Sequence, residues 1–266
     1  MKRFFRFAVK HRTLSKVIAF ALGFVVLYVA DYIENNVLKF VACGFLGGSY
    51  AFLETCFVYL LKEPTKMLGE CDPYPLYEES KFLYDTGVPK AFGAAVICDY
   101  SAALRYMGEL RRAYDMIHNI SDNDLERAGF IVRMTYYNNL ADCCVALGLF
   151  EEADACYLDF VREYEQTKRK KAQSQYAYCY DSARMYLMMR DGNYADALTL
   201  CNGLLPQNKL QSVSCSMERA RIYNGLGDME NATAQLNFVI ENSGKTSLGI
   251  EAKGMLEYMN KTAHLQ

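Results

Sequence analysis

Four times in this chain a glycine is followed two residues later by a large side chain, three beyond that by an alanine, and four after the alanine by a bulky or apolar residue. The segments are Gly108–Leu110–Ala113–Ile117, Gly148–Phe150–Ala153–Tyr157, Gly192–Tyr194–Ala197–Cys201 and Gly227–Met229–Ala232–Leu236. The glycines stand 40, 44 and 35 residues apart. A recurrence of that period confines the chain to a few repeat architectures. Small or apolar residues at helical spacing precede three of the turns: Ser101 and Leu104, then Tyr137, Leu140, Ala141 and Cys144, then Ala220 and Tyr223. Glycine lets one helix stop and the next start in a tight turn. The alanine lets the second helix approach the first, and the large residues fill the space between pairs. One pair cannot bury its apolar face alone, so pairs must stack. The fold class this predicts is all-α. Five prolines and 17 glycines are few for an all-β chain, and 52% hydrophobic residues exclude disorder as the main state.

These positions resemble the tetratricopeptide repeat family. Residues 134–167 match it best, through Tyr137, Leu140, Ala141, Gly148, Phe150, Ala153 and Tyr157, with Cys144 where the family has tyrosine. Residues 213–246 match at Ala220, Tyr223, Gly227 and Ala232. In residues 178–211 the second helix matches, but Asp181 and Arg184 stand where apolar residues belong, which points to a longer first helix or a shifted register. The resemblance covers about 90–260. It implies a TPR-like α-solenoid of stacked antiparallel helix pairs, with a concave groove lined by the first helix of each pair. It also implies a protein or peptide as partner. Carrying over the family's groove positions gives Asp99 and Arg105, then Asn138, Asn139 and Asp142, then Arg221 and Asn224. Asparagine offers a peptide backbone both donor and acceptor, and arginine suits a carboxylate. A carboxylate clamp is incomplete, and Asp142 opposes one; the competing reading is a generic polar surface. Tyr176, Tyr178, Tyr180 and Tyr186 fall on several helix faces, mainly for packing, with Tyr186 retained as a groove candidate.

The first 61 residues read differently. Lys2, Arg3, Arg6, Lys10, Arg12 and Lys16 precede an apolar run, Val17–Ala30, and a second run goes from Val37 to Leu61 with Glu54 inside it. The expectation is two transmembrane helices, about 14–33 and 37–61, joined by a turn over Asp31–Asn36. Ala19 and Gly23, and Gly44 and Gly48, give each a small-residue face. Basic residues flank both outer ends and none lies in the turn, so both ends are expected on the cytoplasmic side, with the lipid bilayer as a partner. A cleavable leader and a buried soluble hairpin are the competing readings. Residues 62–89 then form a linker and first helix, beginning at Asp72-Pro73 and ending near Gly87, and 90–266 the repeat domain.

Composition narrows function. A net charge of −2 argues against a nucleic-acid binder driven by bulk charge. Residues 62–266 hold 22 basic and 28 acidic side chains, so this part should face partners other than an anionic surface. Lys168–Lys171 is a local basic cluster, read as solvated. None of the ten cysteines forms a C-x-x-C pair, and they read as reduced, small apolar residues. Of three histidines, only His118 lies away from the termini, and it reads as a helix C-terminal residue. No nucleophile elbow, zinc-protease or phosphate-loop motif is present. The expectation is therefore no catalytic residue, metal or cofactor. The chain reads as a membrane-anchored helical-repeat scaffold or adaptor for a cytosolic protein or peptide. The alternative is a sensor whose groove takes a small peptide or ligand. Oligomeric state is left open.

Overall fold

The four glycine turns become four copies of one hydrogen-bonded structure in a computed structural model, which describes residues 2–32, 36–87 and 90–263. Gly108, Gly148, Gly192 and Gly227 have φ of 86°, 74°, 76° and 76°. Each glycine N–H donates to the carbonyl three residues back, as in Gly148 to Val145 at 3.1 Å. The next N–H donates five back: Glu109 to Leu104, Leu149 to Cys144, Asn193 to Met188 and Asp228 to Tyr223, all at 2.9 Å. That pair of bonds satisfies carbonyls left open at a helix end, and it needs a residue that tolerates positive φ. Asn193 and Asp228 also cap the following helix, their side chains accepting from the N–H groups of Asp196 and Asn231.

The described residues are helical, with no strand among them. The helices are α1 (Lys2–Lys10), α2 (Arg12–Tyr32), α3 (Asn36–Gly69), α4 (Tyr74–Thr86), α5 (Lys90–Tyr106), α6 (Leu110–His118), α7 (Asp122–Ala128), α8 (Phe130–Leu147), α9 (Phe150–Gln166), α10 (Lys170–Arg190), α11 (Tyr194–Gly203), α12 (Lys209–Gly225), α13 (Met229–Asn242) and α14 (Leu248–Ala263). They divide into two compact units, Met1–Pro64 and Thr65–Gln266. Val88 and Pro89 lie outside the described residues, as do residues 33–35 of the expected turn and His264. The α4 helix starts at Tyr74, with Asp72 accepting the Tyr74 N–H at 3.3 Å, and ends before Gly87 as read.

In the second unit α5 packs on α4 and α6, α8 on α6 and α9, α10 on α9 and α11, α12 on α11 and α13, and α14 on α13. The repeat alanines Ala113, Ala153, Ala197 and Ala232 are wholly buried. So are Ile117, Cys201 and Leu236, four residues on, and Tyr157 nearly so. Cysteine takes its core place in this packing: Cys98, Cys143, Cys144, Cys156, Cys201 and Cys215 are free and buried. The unequal repeat lengths have visible causes. A short helix, α7, is inserted between α6 and α8, started by Ser121 accepting the Asp124 N–H. The α10 helix runs 21 residues. On it Asp181 and Arg184 pair with each other at 3.9 Å, while Ala183 and Met185 take the buried face.

The last helices return to the first. The Ser247 N–H donates to the Tyr106 carbonyl at 2.7 Å and the Lys245 N–H to the Cys71 carbonyl at 2.9 Å. Lys245 pairs with Asp72 at 2.6 Å, and Arg105 lies 3.6 Å from Glu251.

The first unit corrects the expected topology. Among the described residues no helix is long and apolar enough to cross a membrane. Fourteen uncharged residues separate Lys16 from Asp31 within α2, and fourteen separate Lys39 from Glu54 within α3. At 1.5 Å per residue each run measures about 21 Å, short of the ~30 Å hydrocarbon layer. Lys39 instead pairs with Asp31 at 2.6 Å. The two transmembrane helices, and the cytoplasmic placement of both ends deduced from them, do not hold. The side chains of Glu54, Ala19, Gly44 and Gly48 lie outside the described residues.

Candidate functional site

Counted back from each turn glycine, the residues ten, six and three places earlier share one helix face, because they differ by four, seven and three positions. In the second unit these faces surround a cavity of about 320 Å³. Arg105 of α5, Asn138, Asn139 and Asp142 of α8, Tyr186 of α10 and Arg221 of α12 all line it. These are six of the eight groove candidates, brought together from four helices spread over more than a hundred residues. Ala102, Val145, Ser182 and Met217 line it at the same offsets.

The polar groups are partly matched to each other. Tyr157 of α9 donates its hydroxyl to Asp142 Oδ1 at 2.7 Å, and Asn138 Nδ2 reaches Asp142 Oδ2 at 3.4 Å. Arg221 Nη1 donates to Glu218 Oε1 at 2.6 Å. Burial pushes the carboxyls of Asp142 and Glu218 above the ordinary range; Arg105 and Arg221 respectively are the leading charges pulling them back. Asn139 has a structural duty as well, since its Nδ2 donates to the Cys98 carbonyl at 3.0 Å and ties α8 to α5. Three side-chain atoms of lining residues are buried with no hydrogen-bond partner: Arg105 Nε and Nη1 and Glu218 Oε2. Such groups cost roughly 1–3 kcal/mol each when left unmatched.

Two candidates lie elsewhere. Asp99 is half-buried on α5, outside the cavity lining, and burial pushes its carboxyl up to about 7. Asn224 is in the last turn of α12 and exposed, where its carbonyl accepts the Gly227 N–H. Two important lining residues were missed in the sequence. Glu218 stands nine places before Gly227, the same offset as Asn139 before Gly148, and that register would have found it. Tyr157 was read only as the bulky residue after a repeat alanine. Its ring is buried, beside Tyr186 at 4.8 Å between centroids, while its hydroxyl turns to Asp142.

Burial pushes the Cys179 thiol up to about 12, so it stays protonated and a poor nucleophile near neutral pH. Among the described residues no histidine lines the cavity; His118 ends α6, stacked on Tyr114 and 3.4 Å from Glu152. Among the described residues no group of three His, Cys, Asp or Glu is placed to hold a metal ion. No protein-family model matches the chain, and no curated protein matches it.

Proposed function

We propose that residues 65–266 form a TPR-like α-solenoid and that the chain is a binding scaffold whose inner cavity takes a short peptide or peptide-like segment. One observation carries this reading: the inward faces of four successive first helices place two arginines, two carboxylates and two asparagines around one cavity. A volume of about 320 Å³ falls at the small end of the ~300–1,000 Å³ of ligand pockets. That size favours a chain end or a small ligand over a folded domain. Partly matched polar groups with tyrosine walls suit main-chain amides, and the protonated thiol and missing histidine favour binding over catalysis.

The test is fluorescence anisotropy of a labelled pool of random tetrapeptides against the full chain. Saturable binding is expected, weakened about tenfold or more by Arg105→Gln, the size of one charge-assisted hydrogen bond. The exposed control Leu205→Ala, 84% accessible, should leave it unchanged. Equal affinity in both variants, or no saturation in wild type, would contradict the reading.

A further inference from the structure

Resting on that reading, we propose that the cavity's ligand is a small zwitterion with a free carboxylate and a free ammonium group, of the amino-acid or dipeptide class, held between Arg105 and Glu218. The unmatched atoms make opposite demands. Arg105 Nε and Nη1 are donors without acceptors; the nearest Glu251 oxygen, at 3.6 Å, lies beyond hydrogen-bond reach. Glu251 Oε1 also accepts from Ser247 Oγ at 3.0 Å. Glu218 Oε2 is an acceptor without a donor, since Arg221 engages the other oxygen. Either of these N–H groups can donate a single charge-assisted hydrogen bond to a carboxylate, and an ammonium group supplies the donors Glu218 lacks.

Charge separates a zwitterion from a simple anion. Arg105 and Arg221 stand among Asp142, Glu218 and Glu251, so a ligand with only negative charge meets at least as many carboxylates as guanidiniums. A simple cation would leave Arg105 unmatched. A zwitterion answers both ends without adding net charge. Tyr157 and Tyr186, with ring centroids 4.8 Å apart, add aromatic faces that favour an ammonium. The Tyr186 hydroxyl is directed at Asp154, which helps raise its proton affinity and is itself held by Arg190 at 3.2 Å.

Isothermal titration of the full chain with four forms of alanyl-alanine tests this: unmodified, N-acetylated, C-amidated and doubly blocked. The unmodified dipeptide should bind, and each single block should weaken it at least tenfold. Arg105→Gln should abolish the effect of C-amidation while keeping that of N-acetylation. Glu218→Gln should do the reverse. Because each variant is read as a ratio between two ligands, a general loss of affinity does not imitate the result, and circular dichroism checks that each variant folds. Equal binding of the doubly blocked form overturns the zwitterion and leaves the scaffold reading standing. Binding that needs the carboxylate alone also overturns it, in favour of an anion. No heat from any form at millimolar concentration, with no peptide-pool binding either, overturns both.

Discussion

Asp99 and Arg105 lie less than two turns apart on α5, yet only Arg105 lines the cavity. Asp99 is left half-buried, and with burial as the cause its carboxyl titrates near 7 in place of the ordinary 3.8. A raised folded-state value means that the folded chain holds a proton the unfolded chain has released. The penalty is absent below about pH 4, grows as pH rises toward 7 and is constant above that. Asp99→Asn should therefore raise the melting temperature at pH 8, and the gap between variant and wild type should close as pH falls to 4. A gap independent of pH would show that the carboxyl is not buried in this way. At this scale the sequence was readable wherever a residue's helix register alone decides its neighbours, as for Asp142 and Arg221. It was unreadable where a residue's surroundings come from another helix. Asp99 and Asn139 share the same offset from their glycines, but Asn139 reaches back to the Cys98 carbonyl while Asp99 does not line the cavity.

The helix turns were the most legible elements, because positive φ is a demand glycine meets and other residues resist. Gly148 has φ of 74° with nothing within 4 Å of a built Cβ, so Gly148→Ala isolates backbone strain. It should cost about 1 kcal/mol, the strain less the unfolded-state entropy gain, and lower the urea midpoint without changing the slope. Ala153 is the opposite case, wholly buried where α9 meets α8. Ala153→Leu should cost about 2 kcal/mol or more through overpacking, a larger midpoint shift than at Gly148. If the two fall in the reverse order, the alanine does not set the helix approach. The α7 insertion escaped the sequence reading because its signal, a serine cap at Ser121, is short and lies outside the repeated pattern. The expected membrane spans failed at this scale too: charge spacing left each apolar run one helix turn or more too short.

At the scale of the molecule, the second unit joins its two ends. Ser247 to Tyr106 and Lys245 to Cys71 are main-chain bonds across more than a hundred residues, and nothing in a local repeat pattern announces them. Removing α14 takes away Leu248, Ala252 and Met259 from the core that includes Leu236 and Val239. A chain ending at residue 247 should melt at lower temperature and over a broader range than the full chain. An unchanged, equally sharp transition would show that the array needs no closure. Grouping of the cavity residues follows from this arrangement of helices more than from any single pair. Hydrogen–deuterium exchange on the full chain, with and without the saturating peptide pool, reads that grouping directly. Protection should rise together in α5, α8, α10 and α12, whose residues line the cavity, and not in α6, α11 and α13. Protection concentrated on α6, α11 and α13, or none at all, would contradict the account.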